Sequence, residues 1–350
     1  MSGLRSRARP SLSKSGVQSS PPHPAKRTFI RPMLRALFLY LATAAWARAF
    51  ITRFPLAWRV ASRFVAGDSA DDAIAAVRAL NARGLNASVN YLGESVASEA
   101  EAAQAAEAYL LALNKIAAGG VRSNVSVKLT QLGLDLSEDL CARNLRRVLE
   151  CARATGNFVR LDMEGTPHTD RTLAVFRALR REFDNVGLAL QAYLYRTEQD
   201  LRDLTADAAP AARVRLCKGA YEEPPDKAFP RKADVDANYV RLTRLLLERA
   251  QAAAPADPTG RTPPLPALAT HDEKMIAAAT ACAAEHHLPR EHLEFQMLYG
   301  IRRDLQDRLA AEGYPVRVYV PYGTQWYPYF MRRLGERPAN VWFVLSNLFR

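Results

Sequence analysis

Between residues 30 and 65, apolar and aromatic side chains recur with an arginine every few positions. That rhythm predicts two helices broken near Pro55. The stretch 69–83 reads as a further helix, with Asp68 or Ser69 as its cap and Gly84 as its stop. Beyond it the pattern changes. Short β-rich runs at 87–91, 124–129, 158–162, 186–191, 214–216, 265–269, 293–296 and 317–320 alternate with helical stretches at 98–118, 137–155, 169–183, 197–204, 234–252, 273–285 and 302–313. Strand–helix alternation predicts a parallel sheet joined by crossover helices. Eight strands spaced about 25–35 residues apart fit a closed (β/α)8 barrel better than an open sheet. The expected fold class is therefore α/β, a TIM-type barrel over residues 85–350. N-terminal helices over 29–84 precede it, and an extra helix follows the eighth strand. The interval after the fifth strand is unusually long. It carries EEPPDKAFPRK (222–232) and a Pro-rich stretch (254–266), and loops of that length carry function or disorder.

Charge changes the picture only at the N-terminus. The net charge is +12, but residues 1–60 hold 11 Lys and Arg and no acid, leaving 37 bases against 36 acids in the rest. The body is neutral, which argues against a basic groove for nucleic acid. Residues 1–28 are rich in Ser, Pro and Arg and predict a disordered basic arm, though such an acid-free start also resembles a transit peptide. The apolar run 36–47 is too short to span a bilayer, which takes about 20 residues. It reads as an amphipathic helix of the mature chain. A membrane-surface anchor, or a secretory signal cleaved near Ala47-Arg48-Ala49, are the alternatives. The four cysteines show no metal-ligand or disulfide spacing, which fits a reducing compartment and predicts no metal. No GxGxxG or P-loop follows a strand, so the usual nucleotide cradle is missing; a cofactor held another way is not excluded.

A barrel enzyme builds its site from the C-terminal ends of its strands. Those ends present Glu94 after the first strand, Lys128 on the second and Asp162 on the third. The fourth offers Gln191 and Tyr193, and the fifth Arg215, Lys218 and Tyr221. Thr270 and His271 follow on the sixth, Gln296 on the seventh and Tyr319 on the eighth. Each alone has an ordinary structural explanation as a rim lysine, a satisfied core histidine or a loop cap. Their coincidence at one face of a barrel points to a site. After the eighth strand comes GTQWYPYFMRRLGERP (323–338), where Pro328 suits a helix start and Tyr329, Arg332 and Arg333 fall on one helical face. Paired guanidinium forks suit a carboxylate ligand, the alternative being a solvated basic turn. Glu94 is a candidate counter-ion for one of them.

These residues carry a resemblance. VSVKLTQLGLD (125–135), RLDMEG (160–165), LQAYLYRTEQDL (190–201), VRLCKGAY (214–221), ATHD (269–272), LEFQMLYGIR (293–302) and YVPYGTQWYPYFMRRL (319–334) resemble the short, monofunctional bacterial form of proline dehydrogenase. The likeness runs in order from about residue 36 to 347. It implies FAD across the barrel mouth, with L-proline oxidised there to Δ1-pyrroline-5-carboxylate by hydride transfer from C5 to flavin N5. By motif match, Asp162 and Arg215 would be catalytic. Lys128, Tyr221, Leu298, Tyr329, Arg332 and Arg333 would bind substrate, with Glu94 as a gate paired to Arg332. Met163, Gln191, Arg215, Lys218, Gly219, Ala220, Thr270 and His271 would hold FAD. Gly219 would permit close backbone approach to the cofactor. Cys217 and Gly165 depart from the family's usual valine and acidic residue. The resemblance further implies a quinone acceptor and a pyrroline-5-carboxylate dehydrogenase as partner, while the cysteine usage and the basic arm together point to a cytoplasmic protein at the inner face of the membrane. A Schiff-base aldolase built on Lys128 or Lys218, and a membrane- or nucleic-acid-binding module driven by the basic arm, are the rival readings.

Overall fold

The computed structural model describes residues 61–336, apart from 94, 207–211, 251–252 and 254, together with residues 40, 41, 44, 46 and 47. The expectations for the arm 1–28, for the helix break near Pro55 and for Glu94 lie outside the described residues.

Eight parallel strands close in sequence order into a barrel: β1 (Asn86–Tyr91), β2 (Ser123–Val127), β3 (Val159–Leu161), β4 (Val186–Gln191), β5 (Arg213–Cys217), β6 (Pro266–Ala269), β7 (Glu294–Leu298) and β8 (Val316–Tyr322). β8 pairs back onto β1 from Asn86↔Arg317 to Tyr91↔Tyr322 and completes the ring. The helices are α1 (Ala70–Ala82) before β1, then α2 (Glu99–Ala118), α3 (Glu138–Ala154), α4 (Thr166–Arg180), α5 (Thr197–Ala206), α6 (Lys232–Ala250), α7 (Glu273–Glu285) and α8 (Arg303–Ala311) in the crossovers, and α9 (Trp326–Glu336) after β8. The expected (β/α)8 barrel, with an added helix at its end, is what forms.

Local chemistry explains the boundaries. Ser69 caps α1 in a reciprocal capping box with Asp72, and Ser98 and Ser137 cap α2 and α3 through their hydroxyls. Boundaries shift by a few residues from the sequence reading, and three of the shifts bear on the site. β2 ends at Val127, so Lys128 stands just beyond it. β8 runs two residues further than expected, to Tyr322, so Tyr319 lies at mid-strand and not near its end. α9 begins at Trp326, so Pro328 occupies its third position, where its missing N–H would have been an orphan donor anyway. The stretch 222–232 is ordered against the β4–α5 connection. The Phe229 N–H donates to the Tyr193 carbonyl at 2.8 Å, and the Tyr195 and Phe229 rings meet edge to face at 4.6 Å.

Strand alternation sorts the side chains into two sets. Val125, Val127, Val159, Leu161, Leu188, Val214, Leu216, Val318 and Val320 are fully buried among the residues of the main hydrophobic core, which also takes in the inner faces of α1 to α8. The alternate positions point into the barrel and are largely polar: Ser126, Arg160, Arg215, Glu294, Gln296, Arg317 and Tyr319. Barrel interiors are ordinarily filled by branched apolar residues, so this one depends on mutual pairing. Arg317 makes a double contact with Glu294 at 2.9 and 3.0 Å and donates to the Ala87 carbonyl at 2.7 Å. Arg160 donates to the carbonyls of Leu188 and Arg213, passing Gly187, where any Cβ would overlap its guanidinium.

A second apolar cluster joins α9 to the N-terminal segment. Trp326, Tyr327, Phe330, Met331 and Leu334 pack with Phe64, Val65 and Ala47, with Leu41 and Ala44 against them. Tyr327 donates to the Leu41 carbonyl at 3.0 Å. Of the run 36–47, Leu41, Ala44 and Ala47 pack in this cluster, whereas Tyr40 and Trp46 stand exposed.

The Glu294–Arg317 pair, 0% and 1% exposed, yields a direct test. Glu294→Ala should lower stability by about 3–5 kcal/mol in urea titration, because it strands a buried guanidinium. A loss below about 1 kcal/mol would show that the pair is not structural.

Candidate active site

At the C-terminal mouth of the barrel, the interior network ends in a four-way junction. Asp162, just past β3, accepts from Ser126 Oγ at 2.7 Å, from Tyr319 OH at 2.7 Å and from Arg215 Nη1 at 2.6 Å. Arg215 also donates from Nε to Gln296 Oε1 at 2.5 Å, while Gln296 donates onward to Glu294 at 2.6 Å. The Tyr319 ring lies 5.4 Å from the Arg215 guanidinium carbon. Burial, together with the Asp162 charge, holds the Tyr319 phenol well above the ordinary tyrosine range. The result is a guanidinium locked in place at the floor of a cavity.

That cavity has a volume of about 340 Å³. Asp162, Met163, Gln191 and Arg215 line its base, and the backbone run Lys218–Tyr221 forms one wall. His271 and Leu298, from the neighbouring ends of β6 and β7, also line it, the Leu298 N–H donating to His271 Nε2 at 2.9 Å, which puts the proton of a neutral ring on Nδ1. Gln191 donates to the Glu164 carbonyl at 2.9 Å. Glu164 itself is raised from the usual carboxylate range by burial, against the opposing pull of Lys128 and of two hydrogen bonds from Thr130. Lys218 is gripped by Asp236 and by Asp272, the latter at 2.8 Å. A lysine engaged by two carboxylates is the reverse of the desolvated amine that Schiff-base chemistry uses, which counts against the aldolase reading of that residue.

α9 closes the mouth. Tyr329, Arg332 and Arg333 all reach the cavity from its one face, as the i, i+3, i+4 spacing requires, and the Arg333 guanidinium carbon sits 5.1 Å from the Tyr329 ring centre. Lys128, Leu92, Tyr329 and Arg332 also line a second cavity of about 390 Å³ and form the partition between the two.

The structure therefore brings together Lys128, Asp162, Met163, Gln191, Arg215, Lys218, Gly219, Ala220, Tyr221, His271, Leu298, Tyr329, Arg332 and Arg333. Thr270 is not among the residues lining this cavity. Its hydroxyl accepts the Asp272 N–H at 3.0 Å, so it shapes the turn into α7. Gly219 has φ +117°, and the space a Cβ would need is filled by the Tyr193 ring, which is a reason for glycine other than cofactor approach. Asn90 and Ser126 reach the site without having been singled out. Their signal was a polar residue at every second position of an otherwise apolar strand, as in NASVNY and SNVSV.

A closed (β/α)8 barrel whose strand ends and final helix gather charged side chains around one cavity has the architecture of a barrel enzyme. The chain belongs to the proline dehydrogenase family, whose sequence model matches residues 73–346. It is 43% identical over 322 residues to proline dehydrogenase 1 of Bacillus subtilis, covering 91% of this chain and all of that protein. It is 42% identical over 298 residues to the proline dehydrogenase of Deinococcus radiodurans, covering 84% and 91%. The match to relatives of its own length marks the monofunctional bacterial type. Among solved structures, proline utilization A from Bdellovibrio bacteriovorus inactivated by N-propargylglycine superposes with a TM-score of 0.72 at 28% identity, over 86% of this chain and 36% of that one. The chain thus spans about a third of that longer protein.

Cys217 lines the cavity with Sγ 3.2 Å from the Leu190 carbonyl, and burial pushes its thiol up to about 12. A raised value means less thiolate at any lower pH, about one part in ten thousand at pH 8. Iodoacetamide at pH 8 should leave Cys217 unmodified in the native protein and label it in urea, as read by peptide mapping. Native labelling within about tenfold of the unfolded rate would contradict this environment.

Proposed function

We propose that the cavity holds FAD and L-proline together and oxidises proline to Δ1-pyrroline-5-carboxylate. The observation that carries this reading is the convergence of Arg332 and Arg333, from α9, with the Arg215–Asp162 pair on one cavity. The donor set suits the cofactor. Fixed cations and amide side chains (Arg215, Lys218, Gln191, Gln296) face a cavity walled by backbone, as a ring system with nitrogen and carbonyl acceptors requires. Bound there, FAD would supply the acceptor, at N5, for the hydride leaving proline C5.

The chain's own residues do the positioning. Arg332 and Arg333 clamp the proline carboxylate with charge-assisted, directional bonds. Lys128, Tyr221, Leu298 and Tyr329 shape the pocket around the ring, and Asp162 with its three donors keeps the floor rigid. Arg215 places a pre-oriented positive charge where negative charge develops on reduction, a contribution that costs no reorganisation. Met163, Gln191, Lys218, Gly219, Ala220 and His271 complete the cofactor site, with Thr270 supporting it through the α7 turn. Glu94, as gate to Arg332, belongs to this proposal on the motif alone. Most of the protein's contribution is orientation of C5 toward its acceptor. Purified protein should show a flavin spectrum that bleaches on adding proline; a colourless protein whose spectrum stays flat after FAD and proline are added would end this reading.

Electrons then pass to a membrane quinone, and a pyrroline-5-carboxylate dehydrogenase consumes the product. No described helix is long and apolar enough to cross a membrane. Contact with the inner face would run through the acid-free residues 1–60, where Trp46 and Tyr40 stand 62% and 60% exposed.

Arg332→Ala and Arg333→Ala should each raise the KM for proline roughly tenfold to a hundredfold, while flavin content changes little, since each loses a charge-assisted contact. A KM within about twofold of the parent in both would remove the clamp. Deleting residues 1–28 removes six bases. Turnover with a soluble dye should be unchanged, and turnover with quinone in anionic vesicles should fall at low salt and converge at high salt. Equal vesicle activity at low salt would leave the arm no role at a membrane.

A further inference from the structure

The cavity wall that carries Ala220 and Tyr221 belongs to the segment following β5, and two contacts hold that segment down. At one end, Gly219 lies beneath the Tyr193 ring. At the other, Glu223 reaches across to the start of α4. Its Oε1 accepts the Thr166 N–H at 2.8 Å, its Oε2 accepts the Thr166 hydroxyl, and Tyr193 OH donates to it at 3.4 Å. The helix needs this carboxylate. Its N-cap is Gly165, which has no side chain to offer, and the second helical residue is Pro167. An acid supplied from another loop satisfies an orphan N–H and complements the positive end of the helix dipole.

The placement reaches into the site. The β3–α4 connection contributes Asp162 and Met163 to the cavity, and the segment after β5 contributes Lys218 to Tyr221. Glu223 joins these two walls. The Tyr221 ring and the Glu223 carboxylate both lie beside Gly165, at 3.9 and 3.5 Å from where a Cβ would stand. We infer that Glu223 is a positioning residue. By clasping the segment after β5 to the N-terminus of α4, it sets the position of Tyr221 and the width of the cavity mouth. It acts through Tyr221 and has no contact of its own with substrate. The inference rests on the proposal that Tyr221 borders the proline ring.

The test is steady-state kinetics on Glu223→Ala, Glu223→Gln and Thr166→Ala holoenzymes, with binding of a saturated five-membered-ring carboxylate that cannot be oxidised measured by calorimetry. Glu223→Ala should raise the proline KM and the analogue Kd together by roughly threefold to tenfold, with kcat within about twofold, as expected for a lost orienting contact. Glu223→Gln keeps an acceptor for the Thr166 N–H and should restore much of the effect. Thr166→Ala should act in the same direction as Glu223→Ala, and the double variant should be no worse than Glu223→Ala alone. If Glu223→Ala does not fold, the other two variants carry the test. A fall in melting temperature with KM and Kd unchanged would make Glu223 a remote helix cap and overturn the inference. Failure of the parent enzyme to bind the analogue would instead overturn the proline site itself.

Discussion

Arg160, Arg215 and Arg317 point into this barrel, and the need to pair such side chains governs what surrounds them. A buried guanidinium is costly unless its donors are met and its charge is balanced. Arg317 is answered by Glu294, and Arg215 by Asp162 and Gln296. Arg160, 0% exposed, is the exception: its Nη1 reaches two carbonyls while Nε and Nη2 stay unmet, and burial with Arg215 nearby lowers its affinity for its proton well below the usual arginine range. Partners drawn from β2, β3, β5, β7 and β8 are thereby tied across the lumen. Register is pinned as well, because a one-residue slip would turn these charges toward the helices and the valines inward.

The site stands directly on that network. Arg215 serves two neighbourhoods at once, with Gln296 and Glu294 below and the cavity above. Hydrogen bonds within the barrel hold its geometry, and such pre-organisation is what makes a fixed charge effective. The opposite side is built differently. Arg332 and Arg333 ride on α9, whose other face is anchored in an aromatic cluster shared with Ala47, Phe64 and Val65. The floor is thus fixed by hydrogen bonds within the barrel, and the roof by apolar packing against the N-terminal segment. Changes to these two supports should be read separately.

Much of the fold is legible along the chain because its signals are local. Serine caps, glycine stops and β-rich runs at regular intervals mark the elements, and the alternation of types leaves few topologies. Boundaries moved where a local rule met a tertiary one. Lys128 leaves β2 to enter the cavity wall, and α9 starts two residues before Pro328 because the first turns of a helix do not need that N–H. The cavity set was legible too, since strand ends in a barrel converge by geometry and the paired arginines share a helical face.

Partnership was not legible. Nothing in the order of residues says that Ser126, Gln296 and Tyr319 would meet at Asp162 and Arg215, that Tyr193 would occupy the space above Gly219, or that Glu223 would cap a helix that begins 57 residues earlier. Periodicity decides which way a side chain faces. Which distant side chain it then meets depends on the closure of the ring and the lean of each strand, and those follow from packing the whole. The sequence by itself determined a (β/α)8 barrel, its polar mouth and the family to which it belongs. Only the tertiary structure decided who pairs with whom, because a hydrogen bond is made over about 3 Å and sequence separation carries no such distance.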